Sequence, residues 1–176
     1  MPAARFVDQL NVQIGNELAA HHQYLACAIH YDALTMPRMA AFFYDQALEE
    51  RGHAMMMVQY LLDTDAEVQI PAVPAPTSQF PDVVAPVELA LDQERAVTEQ
   101  INGLLRIARD ESDFASEQFM QWFIKEQVEE VATMSDLLAV VRRNREDIED
   151  IEEYVAREHG DAGEDPTAPP QAGAAG

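Results

Sequence analysis

Cysteine, tryptophan and lysine occur once each, as Cys27, Trp122 and Lys125. A lone cysteine rules out an intrachain disulfide, and its helical setting makes Cys27 a small core residue rather than a reactive thiol. No stretch reaches the roughly 18 consecutive apolar residues that a membrane span requires. None near the N-terminus has the apolar block of a secretion signal. A soluble, cytoplasmic protein is expected. Basic residues are scarce too: 11 Lys and Arg stand against 32 Asp and Glu, for a formal charge of -21. That imbalance repels nucleic-acid phosphates and anionic membranes, so neither is expected as a partner, and it attracts cations. What the chain does have is length and apolar content: 176 residues, 48% of them hydrophobic, suffice for one domain with its own core.

Helical periodicity dominates that apolar content. Phe6, Leu10, Ile14, Leu18, Leu25 and Ala28 recur at 3.6-residue spacing and predict a helix from Phe6 to about Thr35. Pro37 ends it and suits the first turn of a second helix, expected to run to about Asp63. Between Asp65 and Pro86, five prolines (Pro71, Pro74, Pro76, Pro81, Pro86) forbid a regular helix and favour an extended path. Roughly twenty extended residues at about 3.3 Å each can span a helix of about 25 residues. The third helix, about Val87 to Arg109, can therefore run parallel to the second. A fourth is expected from Asp113 to Arg143, with Ser112 as its N-cap, and a short fifth from Glu146 to Glu158, stopped by Gly160. The predicted architecture is all-α, a four-helix bundle with one long crossover and a short fifth helix. The domain is expected to cover residues 1–160, followed by a disordered Pro/Ala/Gly-rich tail over 161–176.

Four glutamates violate the amphipathic pattern. At about 100° per residue, Glu17 falls within roughly 20° of Phe6, Leu10 and Tyr24, and Glu50 equally near Phe43, Met57 and Leu61. Glu94 lies within roughly 20° of Val87, Ile101 and Leu105, and Glu130 within roughly 20° of Phe119, Phe123 and Leu137. Each long helix thus turns one carboxylate inward. Ionised glutamates are rarely buried unpaired, because several in one core repel one another. Pairing with Arg or Lys is the plain alternative, but few basic residues are at hand. A pair of divalent metal ions resolves the conflict. Glu50 and His53 stand three apart on one face, and such a Glu-x-x-His pair with single glutamates from other helices is a di-iron arrangement. Glu49, Glu126 and Glu129 sit beside the inward set, as an exposed acidic face or a second, weaker metal site. Tyr24 shares the face of Glu17, either as a ligand-bonding hydroxyl or as a satisfied core tyrosine. Met55, Met56 and Met57 are expected to be packing, and His21, His22 and His30 surface or core histidines.

With these motifs in view, the chain resembles the bacterial non-haem ferritins, those of actinobacteria especially. The resemblance runs from Phe6 to His159. It rests on Glu17 with Tyr24, on Glu49-Glu50-Arg51-Gly52-His53, on Glu94, and on the run from Gln121 to Glu130. It implies a ferritin-like bundle and a ferroxidase that oxidises Fe(II) with dioxygen. One iron would be held by Glu17, Glu50 and His53, its neighbour by Glu50 and Glu94, with Glu130 close by and Gln127 outside them. It further implies a third iron site of Glu49, Glu126, Glu129 and Glu130, with Tyr24 and Trp122 placed to supply electrons. The shell implied is a cage of twenty-four subunits whose four-fold pores are lined by the fifth helix, entered by iron near Asp113 and Glu117. Three rivals stand beside it. A haem-binding bacterioferritin would carry a methionine where Arg51 stands and a second Glu-x-x-His where Gln127 and Glu130 stand, so no haem is expected. A non-enzymatic acidic interaction module would turn its glutamates outward. The DNA-protecting mini-ferritins lack a counterpart to the fifth helix.

Overall fold

The computed structural model describes residues 1–159 and 165–173. Among these the chain forms five helices and no strand: α1 (Ala4–Ala33), α2 (Pro37–Asp63), α3 (Ala85–Asp110), α4 (Phe114–Arg143) and α5 (Ile148–Glu158). α1 packs against α2 and α3 against α4. The turns that reverse the chain are sharp: Thr35 and Ser112 adopt positive φ, 59° and 55°. Ser112 therefore occupies the turn and does not cap α4 as the sequence suggested. Asp113 is the cap; its side chain accepts from Ser116 N at 3.1 Å, and it also holds Ala3 N at 2.9 Å, tying the start of α1 to the start of α4.

The proline-rich segment is a strap laid along α1. Asn11 brackets its first part, donating to Glu67 O at 2.9 Å and accepting from Gln69 N at 2.6 Å. Gln23 brackets Thr77 in the same way, with both bonds at 2.9 Å. Tyr31 donates to Val83 O at 2.7 Å. As the strap advances from 67 to 83 its partners advance from 11 to 31, so it runs parallel to α1 and returns the chain to the end where α2 began. α3 then starts beside the start of α2 and runs parallel to it, which is the ferritin-like topology. At Gly15 a Cβ would lie 2.5 Å from Pro71 Cγ, so the missing side chain lets the strap lie flat.

α5 docks through one carboxylate and a narrow apolar stripe. Glu152 accepts from Arg38 N and Met39 N at 2.8 and 2.9 Å, satisfying amide groups that the first turn of α2 leaves without helical partners. Ile151 and Val155 are buried in the same apolar cluster as Tyr31 and Phe43. The stop expected at Gly160 lies outside the described residues. Beyond it, residues 165–173 lie against α2 and α4. Asp165 accepts from Trp122 Nε1 at 3.2 Å and from Lys125 Nζ at 3.3 Å, and Ala172 N donates to Met55 O at 3.1 Å. The reason is a local apolar match, Ala168 and Ala172 packing into the cluster that contains Trp122.

Two apolar clusters fill the bundle. One gathers Tyr24, Tyr31, Phe43, Val87, Leu137 and Ile151, the other Phe6, Ile14, Leu61, Ile101 and Phe123. On every long helix an inward glutamate sits in the sequence gap between them: Glu17 between Ile14 and Tyr24, Glu50 between Ala47 and Ala54, Glu94 between Leu91 and Val97, Glu130 between Phe123 and Met134. A polar layer thus crosses the middle of the core.

Candidate metal centre

All four inward glutamates are buried, with Glu94 at 0% and Glu130 at 5% exposure, and His53, Gln127 and Tyr24 are buried with them. None has a cationic partner in the usual sense: the one ion pair that reaches this layer among the described residues joins His53 Nδ1 to Glu50 Oε2 at 3.4 Å. Four polar atoms of the layer are buried with no hydrogen-bond partner at all, namely Glu17 Oε2, Glu50 Oε2, His53 Nε2 and Glu130 Oε2. Such atoms cost about 1–3 kcal/mol or more each if nothing ever binds them. Glu17, Glu50 and His53 each offer a ligand atom within 4.8 Å of the others. A divalent cation placed among them would satisfy the unpartnered atoms and the charge together, and oxygen ligands with a single imidazole suit iron or manganese.

The electrostatics record the crowding. Burial, then Glu94 and Glu17, push the Glu50 carboxyl well above the ordinary range. Burial raises Glu94 to about 7, against hydrogen bonds from Tyr24 and Gln127 that favour its charged form. Glu130 is raised by burial and then by Glu49 and Glu94. It therefore lies between the inner set and an outer one. Tyr24, raised by burial and by Glu94, stays protonated and donates its hydroxyl to Glu94 Oε1.

The outer carboxylates divide into a close group and an exposed residue. Glu49 and Glu126 come within 4.8 Å of each other and of His53, and burial with Glu49 and Glu129 raises Glu126 to about 7. His53 thus stands between both groups. Glu129 joins neither group; it is 61% exposed and pairs with Lys125 at 3.5 Å. An open cleft of about 500 Å³, lined by Gln46, Glu49, Glu126, Glu129 and Glu130, connects this face to solvent. Of the proposed pore residues, Asp113 is occupied as the α4 cap, and Glu117 pairs with Arg109 at 2.7 Å. Trp122 sets its ring edge-on to His53, with centroids 5.6 Å apart.

Sequence reasoning named Tyr24 and Gln127 but overlooked Gln13 and Thr98, which also help to orient the ligands. Gln13 donates to Glu17 Oε1 at 2.9 Å. Thr98 donates to Gln127 Oε1 at 2.9 Å, and Gln127 to Glu94 Oε2 at 3.3 Å. For Gln13 the signal was present, since it lies four residues before Glu17, the spacing at which helical side chains meet, whereas Thr98 reaches Gln127 from another helix.

Comparison with known proteins bears on the whole arrangement. A model of the Ferritin-like domain matches residues 7–144. The chain is 53% identical to Ferritin BfrB of Mycolicibacterium smegmatis over 163 residues, 93% of this chain and 90% of that protein. It is 36% identical to a Bacterial non-heme ferritin of Staphylococcus aureus over 132 residues, 75% of this chain and 80% of that one. Its structure superposes on an open pore ferritin from Archaeoglobus fulgidus with a TM-score of 0.85 at 30% identity, covering 89% and 97% of the two chains. With five helices in ferritin order and relatives matched over most of their length, this chain belongs to the ferritin family of iron-storage proteins.

Proposed function

We propose that this ferritin is a ferroxidase, oxidising Fe(II) with dioxygen at the buried layer and storing the Fe(III) product inside a closed cage of twenty-four subunits. The observation that carries it is the set of unpartnered buried atoms on Glu17, Glu50, His53 and Glu130, which three of the four long helices aim into one core without a basic counter-charge. One Fe(II) is held by Glu17, Glu50 and His53, and a second by Glu50 and Glu94 with Glu130 near. Each Fe(II) gives up one electron, so two held by a shared Glu50 deliver both electrons of a dioxygen-to-peroxide step together. The protons that Glu50 and Glu94 retain when metal-free leave as iron binds, since the ligands must be deprotonated. Tyr24 and Gln127 hold the two oxygens of Glu94 from opposite sides.

Oxidised iron then passes by Glu130 to the outer group of Glu49 and Glu126, and on through the acidic cleft toward the mineral. Iron enters the cage near Glu117, where three symmetry copies concentrate cations. Uptake that ignores both ionic strength and Glu117→Ala would place the route elsewhere. Haem has no part in this scheme. Arg51, exposed, follows Glu50 where a haem-binding relative would need methionine, and a haem absorption band in the purified protein would reopen that alternative.

Particle mass together with Fe(II)-dependent oxygen uptake tests both halves. The expected result is a mass of about twenty-four chains of 19.6 kDa with rapid uptake until about two Fe(II) per subunit have been added. A monomer or dodecamer defeats the cage, and uptake no faster than in buffer defeats the ferroxidase.

A further inference from the structure

Three amides at the junction of α1 and α3 have no part in the scheme above. Gln13 is fully buried, and its Nε2 donates both to Glu17 Oε1 at 2.9 Å and to Gln100 Oε1 at 3.0 Å. Asn16 Nδ2 donates to Gln13 Oε1 at 3.0 Å and to Gln100 Oε1 at 3.1 Å. An ionised carboxylate only accepts, so Glu17 dictates that the NH₂ of Gln13 faces it, and the carbonyl of Gln13 must then turn to Asn16. Both donors converge on Gln100, which closes the ring from α3. No water is needed anywhere in it.

Opposite, Gln127 of α4 donates to Glu94, and its own carbonyl accepts from Thr98 of α3. The two ends of the centre are therefore built alike, each with a glutamine amide gripping a terminal glutamate and an α3 residue setting that amide. Thr98 and Gln100 are two residues apart, about 200° around a helix of 3.6 residues per turn, so they serve opposite neighbours.

We infer that Gln13, locked by Gln100 and Asn16, is a positioning residue that occupies Glu17 Oε1 and leaves the buried, unpartnered Oε2 as the single oxygen offered to metal. The inference rests on the di-iron reading of the layer. It makes α3 the brace of the whole centre: it contributes one ligand directly and orients both terminal ones. Without the Gln13 amide, Glu17 is free to rotate about its last torsion and to present either oxygen, both, or a proton. The Glu17 end then loses its preset geometry while the Glu94 end keeps its own.

Cobalt(II), which binds oxygen and imidazole ligands and whose visible spectrum reports their number and geometry, tests this without any turnover. Assembled, iron-free cages of the wild type, Gln13→Leu and Gln100→Leu are titrated with Co(II) alone. Loss of a side chain that orients a ligand typically weakens metal binding by about 10–100-fold. Gln13→Leu should show that loss for one Co(II) per subunit, with an altered spectrum, and leave the other Co(II) nearly unchanged. Gln100→Leu, at a half-buried position, should move both readouts the same way by less, and it carries the prediction if Gln13→Leu fails to assemble. Unchanged affinity and spectrum in the variants overturns the positioning role while leaving the ferroxidase intact. A wild type that binds no Co(II) in this layer overturns the metal centre and the positioning role with it.

Discussion

The inner and outer carboxylates of this ferritin are the same functional group in two environments. Glu17, Glu50 and Glu94 are sealed between apolar clusters, and Glu17 and Glu94 are gripped by amides or a tyrosine hydroxyl. Glu49, Glu126 and Glu129 border an open cleft, with solvent and the lone lysine to screen them. On the proposed di-iron reading, the contrast shows how one fold would make two kinds of iron contact. Sealing raises the cost of leaving a charge unmatched and fixes the ligands in advance, which suits a pair of ions that must react together. Openness lets ions come and go, which suits transit. His53 stands between the two, so ligands pass from one regime to the other within a few ångströms.

Substitutions on either side of that divide should separate sharply. The largest effect is expected from Glu50→Ala, which removes the proposed bridge between the two irons; the fast phase of Fe(II) oxidation should fall by more than the roughly 100-fold that losing an orienting side chain can cost. Glu129→Ala, exposed and outside both close groups, should leave the fast phase within about two-fold and change only later movement of iron. Equal losses in stopped-flow traces of the two would erase the divide.

A smaller effect follows from proton linkage in the metal-free protein. Glu94 is raised to about 7 in the fold, whereas an unfolded glutamate titrates near 4.3. A raised folded pKa means that the native state binds the proton more tightly. Its contribution is thus fully present below about pH 4.3 and is lost as pH rises through about 7, an amount on the order of 3 kcal/mol per subunit. The metal-free protein should therefore melt at lower temperature at pH 8 than at pH 5.5, and Glu94→Gln should flatten that slope. Divalent metal should restore the loss at pH 8, because it takes the place of the proton. A Glu94→Gln melting profile as steep as that of the wild type would show that this carboxylate is not the group responsible.

The smallest effect belongs to the outer boundary. Trp122 is the lone tryptophan, edge-on to His53 on one side and hydrogen-bonded to Asp165 on the other. Asp165→Ala should shift its emission, through loss of the indole hydrogen bond, while the fast oxidation phase stays within about two-fold, because Asp165 touches no inner ligand. An unshifted emission would mean that 165–173 does not rest on α4 in solution.

Much of the centre was legible because helical phase is a strong constraint. A period of 3.6 residues leaves Glu17, Glu50, Glu94 and Glu130 no place but the apolar stripe, and all four are buried. The prolines from Pro71 to Pro86 announced an extended crossover, and hence parallel α2 and α3. Boundaries were less legible: Ser112 and Asp113 are both good caps, and only the positive φ at Ser112 decides between them. Contacts between distant segments were not legible at all. Asp165 reaches Trp122 across 43 positions, and nothing in the composition of 161–176 marks an acid that finds an indole. The Gln13 ring falls between these cases. Its bond to Glu17 follows a helical spacing, but Gln100 is 87 residues away.

If two irons react as a pair in the sealed layer, oxygen stoichiometry records it. An oxygen electrode records uptake as Fe(II) is added to the iron-free protein at about two per chain. About one dioxygen should be consumed for every two Fe(II), rapidly in the wild type and Glu129→Ala, with no rapid uptake in Glu50→Ala. One dioxygen per Fe(II), or rapid uptake that survives Glu50→Ala, would contradict it.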